Sequence, residues 1–181
     1  MSSVPSCALV TERLRLVAAD SVLMRAELEG RKALSSLLGV QIPDNWPPGD
    51  YVDALPAFTA RLGEAADSVG WYTWYSCLKE GGLIGAGGFK GPPGLSGSVE
   101  LGYSVLPQYR KLGYASEAAS ALVLWAFSHD EVGIIVAETA EENHGSIAVL
   151  GRAGFCRVGR GSEDGMIRFQ LCRADCERKQ S

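Results

Sequence analysis

The segment from Val99 to Phe127, VELGYSVLPQYRKLGYASEAASALVLWAF, limits what the whole chain can become. Val99, Leu101, Tyr103 and Val105 alternate with Glu100, Gly102 and Ser104, the period of a strand with two unlike faces. Pro107, which has no N–H to give a neighbour, ends it. Ala115, Ala118, Ala119, Leu122, Val123 and Ala126 then return at three- and four-residue intervals and predict an amphipathic helix. Between the two lies Arg110-Lys111-Leu112-Gly113-Tyr114-Ala115, a turn whose glycine can take dihedrals that other residues avoid. It leaves unpaired N–H groups at the positive end of a helix. Strand, basic turn and helix start together make a cradle for an anion.

Upstream, Arg13 to Leu16 alternate as a first strand, and Asp20 is placed to cap a helix from Val22 to Leu34. GVQIPDNWPPGD, from Gly39 to Asp50, is too rich in Pro, Gly, Asn and Asp to be anything but a loop. Asp50 is expected to cap a helix carrying Val52, Leu55, Phe58 and Leu62, and Trp46 either lines a substrate entrance or pins the loop to the core. Trp71 to Leu78 and Leu83 to Lys90 read as a hairpin around Lys79-Glu80-Gly81-Gly82. Gly85, Gly87 and Gly88 in its second strand mark a bulge or a close approach by another backbone.

Beyond the central helix, Gly133 to Thr139 is a β-branched strand, Asn143 caps a helix containing Ile147 and Leu150, and Gly154 closes it. Phe155 to Arg160 and Met166 to Leu171 are the last strands. The predicted class is α/β (α+β), a mixed, mostly antiparallel sheet of about six to seven strands with helices on both faces. A single domain is expected over residues 9–172, with 1–8 and 173–181 as flexible tails.

Two blocks carry a family resemblance. ELGYSVLPQYRKLGYASEA holds the pattern Arg110-x-x-Gly113-x-Ala115, and AETAEENHGSIAVLGRAGF follows it from Ala137 to Phe155. In this order and in these strand, turn and helix contexts they resemble the GCN5-related N-acetyltransferases (GNAT), and within them the branch containing ribosomal-protein N-terminal acetyltransferases. The resemblance implies the GNAT fold, acetyl-CoA (coenzyme A) as donor, and direct transfer to a primary amine of a peptide or small molecule in a ternary complex. It implies neither a metal nor an acyl-enzyme.

Under that resemblance the N–H groups of Leu112, Gly113, Tyr114 and Ala115 would hold the diphosphate, with Arg110 and Lys111 adding charge. The N–H of Val105 would polarise the thioester carbonyl, and Asn143 would bond the pantetheine arm. An acceptor amine, with a pKa of about 8 at an N-terminus or about 10.4 on a lysine, must lose a proton. Glu100 on the central strand is the candidate base, its other reading being a solvated or salt-bridged strand carboxylate, and Glu138 is the second candidate. The position at which many relatives carry a Tyr falls on Leu150, and Ser146, which resembles the serine of the ribosomal-protein branch, is nominated as proton donor or partner to the departing thiolate. His129 and His144 lack the company of a triad or a metal spacing and are set aside. A non-catalytic acyl-CoA sensor and a transferase using another acyl-CoA are the alternatives.

The formal net charge of -4 argues against a nucleic-acid partner. Cys7, Cys77, Cys156, Cys172 and Cys176 lack CxxC spacing, which is expected of reduced thiols rather than a zinc site or a disulfide framework. No window reaches the ~18 apolar residues of a membrane span, and the first residues show no charged leader ahead of an apolar core. The expectation is a cytoplasmic protein without a membrane partner, in which sheet edges could pair two copies as a homodimer.

Overall fold

Leu14, Leu16 and Ala18 face one side of a strand and Val17 the other. In the computed structural model, which describes residues 7–52, 55–64 and 68–178, both sides are buried. The strands are β1 (Ala8–Val10), β2 (Leu14–Ala18), β3 (Thr73–Leu78), β4 (Leu83–Phe89), β5 (Ser98–Val105), β6 (Ile134–Ala140), β7 (Cys156–Arg160) and β8 (Met166–Cys172). The helices are α1 (Ser21–Glu29), α2 (Arg31–Leu38), α3 (Gly49–Val52), α4 (Leu55–Glu64), α5 (Tyr114–Phe127), α6 (His144–Ala153) and α7 (Arg173–Arg178). The sheet runs β1-β2-β3-β4-β5-β6-β8-β7, antiparallel throughout except for the parallel β5–β6 pair. This is the expected mixed sheet.

Alternation along the strands sends side chains into two cores. On one face Leu16, Trp74, Ile84 and Leu101 pack with Ala119 and Leu122 of α5; on the other Val17, Tyr75 and Leu83 pack with Met24 of α1 and Leu34 of α2. Each of these large apolar side chains contributes about 1.5–3 kcal/mol by leaving water. Gly88 shows why β4 is rich in glycine: at φ 140° a Cβ there would stand 1.6 Å from the carbonyl oxygen of Tyr72, which is the close backbone approach expected of this strand.

Four expectations change. Among the described residues the strands number eight, because β1, only three residues long, pairs antiparallel with β2 and is too short to show a period. The helix expected from Val22 to Leu34 is two, broken at Gly30 (φ 127°) into α1, capped by Asp20 as expected, and α2. Asp50 lies inside α3 instead of preceding a helix, since the chain already turns at Pro48, whose carbonyl accepts from Tyr51 and Val52. Arg173 onward, expected to be a flexible tail, forms α7. There the Arg173 guanidinium donates to the carbonyls of Phe127 (2.6 Å), His129 (2.6 Å) and Val132 (2.7 Å) at the end of α5. Of the other tail, residues 1–6 lie outside the described residues, as do 179–181.

One irregularity of the sheet positions the site. β5 pairs with β6 over three residues, Ser98↔Ile134 to Glu100↔Val136. Past that point β5 stays with β4 as far as Val105, while β6 stays with β8 as far as Ala140. The two strands part, and a mouth opens at the C-terminal end of β5.

Candidate active site

The register of β5 decides what faces that mouth. Lys90 donates its N–H to Glu100 and Leu106 to Ile84, so the even-numbered residues of β5 form the hydrogen-bonded pairs with β4. The N–H groups of Tyr103 and Val105 therefore turn the other way, toward the side from which β6 has withdrawn. Arg110 folds back to donate through Nε to the Val105 carbonyl at 3.0 Å, holding the turn against the strand end.

Below the mouth, Gly113 takes φ 86° as the residue before α5, and no side chain caps that helix. Its first N–H groups stay open to a ligand. Lys111 also holds positive φ (62°), as sharply turning anion-binding loops often do. Ser116 Oγ, in the first turn of α5, is buried and has no hydrogen-bond partner among the described residues. An orphaned hydroxyl beside an uncapped helix start fits an anionic ligand with polar groups along its length.

Arg13 straps this turn from the β1–β2 connection. Its Nη1 donates to the Leu112 carbonyl (2.9 Å), its Nε to Glu117 Oε2 (2.7 Å), and its guanidinium lies 4.5 Å from the Tyr114 ring centre. Glu117 also accepts from the Arg13 backbone N–H at 2.8 Å and from Thr11 Oγ1 at 2.6 Å. Burial alone would raise the Glu117 carboxyl, but these donors and the Arg13 charge outweigh it and hold the group below its ordinary value.

Two cavities flank the mouth. One, of about 490 Å³, is lined by Val105, Arg110, Gly113, Ser116, Asn143 and Arg152 among others; the second, of about 430 Å³, by Tyr51, Phe58, Tyr72, Lys90, Glu138 and Met166. Tyr103, Ser104, Asn143 and Ser146 belong to both and form the wall between them. There the Tyr103 hydroxyl lies 2.9 Å from Ser146 Oγ and donates to the Ser146 carbonyl at 3.2 Å. Burial pushes the Tyr103 phenol up to about 12, the Ser146 contact opposing it.

The structure thus brings together Val105, Arg110, Lys111, Gly113, Tyr114, Ala115, Asn143 and Ser146 along the first cavity. Leu112 is exposed, and its carbonyl is taken by Arg13. Asn143 accepts the N–H of Ser146 at 3.1 Å and so starts α6. Glu100 is not brought in: it sits where β5 and β6 are still paired, lines neither of these cavities, and its carboxylate meets Lys90 Nζ at 2.5 Å. The ion-paired reading of this strand carboxylate is the one observed. Glu138 lines the second cavity, but its oxygens accept from Ser162 N–H (2.9 Å), Ser162 Oγ (2.7 Å) and Arg168 (2.7 Å). Those bonds, the Ser162 N–H foremost, hold its carboxyl below the ordinary value.

Trp46 is buried and donates to Glu27 at 2.8 Å, which settles it as a pin for its loop. Glu27 also accepts from Tyr51 (2.8 Å) and Tyr75 (2.5 Å); its burial raises the carboxyl against those bonds. Sequence reasoning missed Arg13, Ser116, Arg152 and the Tyr103 phenol. Only Tyr103 left a trace, its place opposite Glu100 on an alternating strand.

Known proteins resemble this chain in sequence and in fold. A family described as "Acetyltransferase (GNAT) domain" matches residues 16–156. An uncharacterized N-acetyltransferase of Bacillus subtilis (strain 168), YjdG, is 32% identical over 148 residues, covering 81% of this chain and 88% of that protein. RimL, a ribosomal L7/L12 alpha-N-protein acetyltransferase solved with coenzyme A, superposes with a TM-score of 0.63 at 17% identity, over 91% of this chain and 96% of its own. The aminoglycoside acetyltransferase AAC(6')-Ib, solved with coenzyme A and kanamycin, does so with a TM-score of 0.63 at 18% identity, over 93% and 99%.

Proposed function

The chain belongs to the GNAT acetyltransferase family, and on that footing we propose that it moves an acetyl group from acetyl-CoA directly to a primary amine, with donor and acceptor bound at once in the two cavities. The observation that carries this reading is the joining of an uncapped helix start at Gly113 to a strand end whose Val105 N–H faces the same cavity. A diphosphate fits the first and a thioester carbonyl the second.

In this reading the N–H groups of Gly113, Tyr114 and Ala115 take the diphosphate oxygens, with Lys111 and Arg152 adding charge at the cavity wall. Ser116 Oγ acquires the partner it lacks. The Tyr103 and Val105 N–H groups, freed by the parting of β6, bond the extended arm, and Val105 faces the charge that gathers on the carbonyl oxygen as the amine attacks. Acetyl transfer of this kind uses the protein to align two reactants, so no residue need be acylated.

Two relatives by fold act, by their descriptions, on a ribosomal protein and bind an aminoglycoside, so the acceptor class follows from the second cavity. Tyr51, Phe58, Tyr72 and Met166 give it apolar walls, and Lys90 and Glu138 give it both charges. An amine carried on an apolar or aromatic body, as a hydrophobic peptide N-terminus or a small molecule, suits it. Calorimetry with acetyl-CoA, followed by a mass screen of N-terminal peptides and small amines, tests the proposal. A mass gain equal to an acetyl group supports it; donor binding without turnover on any amine would favour a sensor, and no donor uptake would end both readings.

A further inference from the structure

The wall shared by the two cavities is built around two hydroxyls. Tyr103 reaches it from β5 and Ser146 from the first turn of α6, and their oxygens lie 2.9 Å apart. The carboxylates near them are committed: Glu100 to Lys90, and Glu138 to Arg168 and Ser162. The other charged side chains that line the cavities are cations, Lys90 on one side and Arg110, Lys111 and Arg152 on the other, which do not accept a proton from an amine. A proton that leaves a nitrogen in the second cavity has the hydroxyl pair as its path to a sulfur in the first.

Resting on the acetyl-transfer reading, we propose that Tyr103 and Ser146 form a proton relay from the attacking amine to the departing thiolate. The neutral amine's lone pair forms the N–C bond, and the C–S bond breaks with its electron pair going to sulfur. Sulfur takes the Ser146 hydroxyl proton, the Tyr103 hydroxyl turns from the Ser146 carbonyl to Ser146 Oγ and gives it the phenolic proton, and Tyr103 takes the proton that the newly acylated nitrogen sheds. One proton has passed from nitrogen to sulfur, and both hydroxyls end as they began. The relay needs neither Glu100 nor an external base once the amine is neutral. Its half-buried phenol stays protonated through the physiological range, ready to donate.

The test uses coenzyme A itself on the intact chain. A hydroxyl that serves the sulfur lowers the pKa of the bound thiol, read as thiolate absorbance against pH. Ser146→Ala should raise the bound thiol pKa by about one unit and Tyr103→Phe by about half a unit, and the double variant should match Ser146→Ala, while coenzyme A affinity stays within about threefold. Ser146→Thr, which keeps the hydroxyl, should keep the wild-type value; it and Ser146→Ala decide the matter if Tyr103→Phe folds poorly. Coenzyme A bound with the same thiol pKa in wild type, Ser146→Ala and Tyr103→Phe overturns the relay and leaves acetyl transfer standing. No uptake of coenzyme A by the wild type overturns both.

Discussion

At Gly113 a φ of 86° strains any residue with a Cβ, and that Cβ would stand 3.1 Å from Arg13 Nη2, so the arginine would have to shift. Valine, branched at Cβ, is an outlier in that backbone region. Gly113→Val should therefore cut acetyl-CoA affinity at least about a hundredfold, equivalent to about 2.7 kcal/mol, by calorimetry on protein whose circular dichroism is unchanged. Arg13→Ala should act more mildly, raising the donor Kd about tenfold by loosening the turn before binding; an unchanged Kd would reduce Arg13 to a surface ion pair. Glycine's part could be read in the sequence because the requirement is local, one dihedral in one turn. Arg13 could not, since its partner Glu117 lies 104 positions away and only the closed sheet makes them neighbours. Tyr103 and Ser146, 43 apart, were hidden for the same reason.

Elements with a period of their own were legible. β5, α5 and α6 have it, and their expected bounds hold to within a residue or two. β1 and α7 are short and take their form from what they dock against, β2 in one case and the end of α5 in the other. Arg173 ties that second docking, since one guanidinium satisfies carbonyls that the end of α5 and the turn after it leave open. Arg173→Ala should lower unfolding free energy by about 2 kcal/mol, read as a shift of the denaturant midpoint at unchanged slope. The parting of β5 from β6 left no mark in either strand's composition, because it depends on where two separately stable ladders stop agreeing.

Across the whole molecule, acid stability rests on carboxylates pulled in opposite directions. Glu117 and Glu138 sit below the ordinary value of 4.5 when folded, so their contribution is complete above that value and is lost as pH falls through their folded pKa. Glu27 sits above it, so its contribution is complete below the ordinary value and is lost as pH rises through its folded pKa. Glu117→Gln should flatten the fall in melting temperature below about pH 4.5, and Glu27→Gln should leave that limb in place while removing the loss Glu27 causes on its alkaline side. Thermal melts from pH 3 to pH 7 separate the two.

The turn proposed to face the diphosphate is clasped by an arginine 99 positions earlier in the chain, so it is complete only after the β1–β2 hairpin has come home. A chain clipped by protease just beyond Arg13 would keep most of its sheet yet hold nucleotide poorly. Conversely, saturating nucleotide should shield that hairpin from cleavage, since whatever favours the clasped form must be favoured by it in return.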